Sequence, residues 1–73
     1  MENILLDGNN NVKSVKLRNG KTFYIKPYNN GFLGSKENLN TRIIDSFKCV
    51  YFKKANGFNS ILDVENYAKN YLH

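Results

Sequence analysis

Asn19-Gly20 lies between two runs, Val12 to Arg18 and Lys21 to Tyr28, in which apolar and polar residues alternate around Val15, Leu17, Phe23 and Ile25. Such a dipeptide between alternating runs is the strongest short-range signal for a β-hairpin. The turn length decides which side chains share a face, because strand side chains alternate sides with a period of two. A two-residue loop pairs Arg18 with Lys21 and places Val15 and Leu17 on the opposite face from Phe23 and Ile25. A three-residue loop, with Arg18-Asn19 as a type I turn and Gly20 as a left-handed bulge, gathers all four on one face. Ser14, Lys16, Thr22, Tyr24 and Lys26 then form the other. Burial favours the bulged turn, since the alternative exposes half of the apolar set. Pro27 donates no backbone hydrogen bond and reads as a position near a strand end.

The rest of the chain is organised around this hairpin. Ile4-Leu5-Leu6 is a short apolar run, separated from the hairpin by the turn-rich Asp7-Gly8-Asn9-Asn10-Asn11, and reads as a further strand. Tyr28 to Gly34 reads as a loop containing Phe32 and Leu33. Ser35 is placed to cap a helix from about Lys36 to Ala55, in which Leu39, Ile43, Ile44, Phe47, Val50 and Tyr51 recur at helical spacing. The competing reading of Phe47 to Phe52 is a strand, since Phe47, Cys49 and Tyr51 alternate in a β-rich run. The helical stripe and the stop signal Asn56-Gly57 favour the helix. Ser60 with Asp63 resembles a capping box that opens a last helix through Leu72, with Ile61, Val64, Ala68, Tyr71 and Leu72 inward. The expected architecture is one α+β domain over residues 1–73. It is a small antiparallel sheet of three strands in the order β-β-β-α-α, with two helices packed on one face.

Little in this sequence supports catalysis. A chain of 73 residues buries only about 60% of the surface its unfolded form exposes, so its stability margin is thin. The single cysteine, Cys49, has no partner for a disulfide, and an unpaired thiol fits a reducing, cytoplasmic setting. The first residues resemble neither a signal peptide nor a membrane span. Cys49 lacks a histidine in the sequence positioned to lower its pKa, and the lone histidine, His73, falls at the end, where fraying is expected. The acids Glu2, Asp7, Glu37, Asp45, Asp63 and Glu65 are dispersed, and two of them, Glu37 and Asp63, fall at expected helix starts, where negative charge is structurally favourable. With no metal-ligand spacing and no glycine-rich phosphate loop, the expectation is a protein that is not an enzyme, with no cofactor, no metal and no catalytic residue. Thirteen asparagines, with abundant Lys, Ile and Tyr, share A/T-rich codons and point to an A/T-rich genome, and a free-standing chain with no recognisable family motif suits a phage or mobile-element gene.

What remains is segregated charge. The net charge is +5, and residues 8 to 36 carry Lys13, Lys16, Arg18, Lys21, Lys26 and Lys36 with no acid. The hairpin is therefore the expected positive pole, with Lys16, Tyr24 and Lys26 on its outer face, Arg18 and Lys21 at its tip, and Tyr28 near its exit. Cations beside aromatic rings suit nucleic acid. They equally suit an acidic protein surface, and a solvated sheet face is the plain alternative. Phe52, off the main stripe of the expected middle helix, is a candidate contact for a partner or a homodimer. The candidate binding residues are thus Lys13, Lys16, Arg18, Lys21, Tyr24, Lys26, Tyr28 and Phe52. The expected function is a small accessory or inhibitor protein of anti-CRISPR or other anti-defence type, docking on a host nucleic-acid-processing complex. A direct DNA- or RNA-binding module using the basic hairpin is the alternative, and a structural or assembly subunit the third.

Overall fold

Gly20 has the left-handed conformation the bulged turn demands, at φ 84°, and a β-branched residue there would be strained. The computed structural model describes residues 2–8 and 11–72; Asn9 and Asn10 of the expected first loop, and His73, lie outside the described residues. Strands β2 (Lys13–Lys16) and β3 (Thr22–Tyr28) pair antiparallel with Val15 opposite Phe23. The Leu17 amide donates to Lys21 O at 2.9 Å and the Gly20 amide to Leu17 O at 3.0 Å. Val15, Leu17, Phe23 and Ile25 are all buried, and they share one face, as the register argument expected.

Beyond Tyr28 the architecture departs from expectation. β4 (Gly31–Ser35) follows β3 after only Asn29 and Asn30, whose φ values of 43° and 59° are those of a type I′ turn. The segment expected to be a loop is thus a second hairpin, with Tyr28 opposite Gly31. Pro27 lies beyond the end of β2 and opposite Phe32, one residue from the closing pair, so its missing donor interrupts no ladder.

The helix expected from Lys36 to Ala55 does not form. In its place are β5 (Ile43–Asp45), a 3₁₀ turn at Ser46–Lys48, β6 (Cys49–Lys53) and a second 3₁₀ turn at Lys54–Asn56. Ser35 caps no helix: its hydroxyl accepts from the Glu37 amide at 3.0 Å and donates to Lys48 O at 2.6 Å, tying two strand ends together. The β-branched and aromatic content of Cys49 to Lys53 prevails because β4 offers it a partner, and sheet packing outweighs the helical stripe.

The fold is therefore two sheets and one C-terminal helix, rather than three strands and two helices. The larger sheet has the order β2-β3-β4-β6, and β1 (Asn3–Leu5) forms a two-stranded ribbon with β5. Helix α1 (Ile61–Tyr71) opens with the expected capping box. The Asp63 amide donates to the Ser60 hydroxyl, and the Ser60 amide to the Asp63 carboxylate. Val64 and Ala68 seal α1 onto Val15, Leu17, Phe23, Ile25, Phe32 and Phe52. Tyr71, expected to point inward, is exposed. Gly34 lies beneath this core: a Cβ there would come within 2.5 Å of the Phe23 ring and 2.7 Å of the Phe52 ring. The opposite sheet face is covered too, since Ile44 and Leu39 pack on Leu33, with Ile4, Leu6, Val12, Tyr24 and Tyr28 around them. The sheet is the middle of three layers.

Candidate functional site

The second covering layer changes the chemistry of the hairpin face. Lys26 is only 2% exposed, with its ammonium 2.7 Å from the Asp7 carboxylate, whose side chain remains largely in solvent. A lysine expected to meet a partner is an internal tie between the ribbon layer and the sheet. Tyr24 is half-buried among the ribbon contacts, and Tyr28 stacks edge-on against Tyr51 at 6.0 Å. Lys13, on the helix side of the sheet, lies 3.8 Å from Glu65 of α1. Of the expected site residues, only Lys16, Arg18 and Lys21 stand together in solvent, at the tip of the first hairpin. Lys16 Nζ also donates to Gly20 O at 3.4 Å.

Phe52 is the other correction. It is 3% exposed and sits at the centre of an aromatic cluster, with Phe58 at 5.0 Å, Tyr67 at 5.7 Å and Phe23 at 6.4 Å between ring centroids. The surface ring is instead Phe47, 79% exposed. The helical reading inverted the two because it set Phe47 inside and Phe52 outside, whereas in β6 it is Phe52 that shares a face with Phe32 and the helix-side core.

Phe47 borders a groove of about 390 Å³ at the end of the large sheet, where β4 finishes and β6 begins. Phe47, Val50, Leu72 and the edge of Phe23 make its walls apolar, and Lys36, Glu37 and Lys48 stand at its rim. Phe47 is held out by its turn: the Asp45 carboxylate accepts from the Phe47 amide at 3.1 Å. Lys48 and Glu37 pair at 2.8 Å, and the carboxylate holds the Lys48 ammonium pKa above its ordinary value, first through the hydrogen bond and then through charge. Burial pushes the neighbouring Cys49 thiol up, Asp45 and Glu37 push it further, and Ser35 offsets part of this. A thiol so placed is a poor nucleophile. Among the described residues no group of three His, Cys, Asp or Glu side chains is arranged to hold a metal, and no helix is long and apolar enough to cross a membrane.

Sequence reasoning missed Phe47, Val50 and the groove because they depend on β4 and β6 being neighbours. The available signal was the alternation of Phe47, Cys49 and Tyr51, which belongs to an edge strand. No family model matches this chain, and no curated protein or solved structure is significantly similar to it.

Proposed function

We propose that this chain is a non-catalytic docking protein, an accessory or inhibitor of the anti-defence type, which engages a partner protein complex in the cytoplasm. Its contact surface on this reading is the groove end of the sheet. The observation that carries the reading is the exposure of Phe47 (79%) together with Val50 (49%) on the walls of one apolar groove. Large apolar side chains exposed together on the walls of a concavity are a feature of contact surfaces. The rim carries Lys36 beside the paired Lys48 and Glu37, and its one-charge positive excess with the net charge of +5 favours an acidic partner surface and speeds encounter with it.

A second reading, direct nucleic-acid binding, is favoured by Lys16, Arg18 and Lys21 at the hairpin tip. Among the described residues these three have no carboxylate within ion-pair distance. The test is co-purification of tagged protein with partners from lysate of the source cell, with and without nuclease. Phe47→Asp is compared with the triple change Lys16→Glu, Arg18→Glu and Lys21→Glu. Loss of the captured complex in Phe47→Asp alone supports docking by the groove. Loss in the triple variant alone, with nuclease sensitivity and a steep fall in affinity with salt, overturns it in favour of nucleic acid.

A further inference from the structure

Among the described residues no strand pairs with the outer edge of β2 or of β6 in the large sheet, and the two edges are built differently. Tyr28 and Gly31 close the two-residue turn of the second hairpin, so they exchange backbone hydrogen bonds, and by alternation Phe32 and Gly34 turn theirs toward β6. Their opposite numbers are Phe52 and Val50. The backbone groups of Cys49, Tyr51 and Lys53 must then point away from the sheet. Two independent contacts agree: the Cys49 amide donates to Ser46 O, and Lys53 O accepts from the Phe58 amide at 3.4 Å. This leaves Cys49 C=O, both backbone groups of Tyr51 and the Lys53 N–H facing outward, with no other described strand beside them. By the same alternation the outward positions of β2 are Ser14 and Lys16, so a lysine guards that edge in the usual way. On β6 the outward positions are Cys49, Tyr51 and Lys53, so a lysine stands only at the strand's end, while Val50 and Tyr51 are exposed along it and the apolar groove lies at its start.

We infer that β6 is a strand-addition site, which takes an extended segment of a partner protein, antiparallel, with an acidic side chain opposite Lys53 and an apolar one beside Val50. This rests on the docking reading and specifies its mode. An antiparallel segment centred on Tyr51 satisfies all four outward groups, while its side chains alternate between the Val50 face and the face of Cys49, Tyr51 and Lys53. Charge selects the occupant. A second copy of this chain paired in the same way brings Lys53 and Lys54 of each copy toward the other's Lys48, whose charge Glu37 only partly offsets, between molecules that each carry +5. An acidic segment meets the same lysines favourably.

The test uses the isotope-labelled intact protein and two soluble heptapeptides as probes, one alternating glutamate with valine and one alternating lysine with valine. With the acidic peptide at saturation, the Tyr51 and Lys53 amides are expected to exchange roughly tenfold more slowly. The basic peptide is expected to bind at least about threefold more weakly at low salt. Lys53→Glu, an exposed change that leaves the fold alone, narrows or reverses that preference. Absence of protection at Tyr51 and Lys53, or equal binding of the two peptides, overturns the inference. So does protection that grows with protein concentration and needs no peptide, which assigns the edge to a second copy. A partner complex that is lost in Phe47→Asp, yet leaves both amides exchanging at the unbound rate, sinks strand addition while the docking reading stands. Capture that is insensitive to Phe47→Asp sinks the docking reading itself.

Discussion

The two faces of the large sheet are covered by unlike layers. On one, a capped helix closes with Val64 and Ala68 over six buried apolar residues, three of them phenylalanines. On the other, Ile44 of a two-stranded ribbon and Leu39 of the segment before β5 close over Leu33, with tyrosines at the margin and a lysine buried against an aspartate. The helix side holds most of the apolar burial and hence most of the stability. The ribbon side is a thinner cover with a polar tie, the kind of layer that opens locally before the whole domain unfolds. A four-stranded sheet with two buried faces can thus be rigid on one side and comparatively soft on the other.

The largest expected effect comes from overfilling the helix side. Gly34→Ala sets a methyl against two phenylalanine rings at distances below 3 Å, and is expected to cost about 3 kcal/mol or more. For a domain of this size that approaches the whole margin of roughly 5 kcal/mol, and urea unfolding monitored by circular dichroism measures it. A wild-type midpoint would mean that the rings move aside and that this core is looser than its contacts imply.

Emptying the ribbon side is expected to do less globally and more locally. Leu39→Ala should cost about 2–3 kcal/mol, with faster amide exchange in β1 and β5 than in β2 and β3. Uniform acceleration across the molecule would erase the distinction between the two layers. Next comes the polar tie: Asp7→Asn removes the carboxylate facing a buried ammonium and should cost roughly 1–3 kcal/mol. Exchange should again concentrate in the ribbon.

How far these layers were legible in the sequence follows from what each depends on. The first hairpin and α1 are specified by neighbours in the chain: Gly20 admits only a few turn types, and Ser60 with Asp63 satisfies two helix-start amides locally. The middle segment is specified by partners far away. Asn29-Asn30 forms the type I′ turn that is more often signalled by Asn-Gly, so β4 was hidden. Without β4, the run Cys49 to Lys53 had no visible strand to pair with, and a helical stripe took its place. The site suffered in proportion. Arg18 and Lys21 are exposed at a turn, as local pattern foretold, whereas Lys26 disappears under a ribbon made of residues on either side of it in sequence.

The smallest expected effect sharpens that last point. Phe47→Ser, which the helical reading made a severe core lesion, should change stability by no more than about 0.5 kcal/mol, because the ring is 79% exposed. Thermal unfolding of the variant measures it, and a loss of several kcal/mol would restore Phe47 to the interior.

The lid of the firmer core is also made late. β2, β3, β4 and β6 run in chain order, each pairing with the one before it in the sheet, so every strand pair of the sheet can form without α1. Phe52 is complete before Val64 and Ala68 exist. Without α1 the sheet presents Phe23, Ile25 and Phe52 with no helix over them. A released chain truncated before α1 is therefore a sticky, half-roofed sheet, the kind of surface a holdase that recognises exposed aromatic side chains would bind.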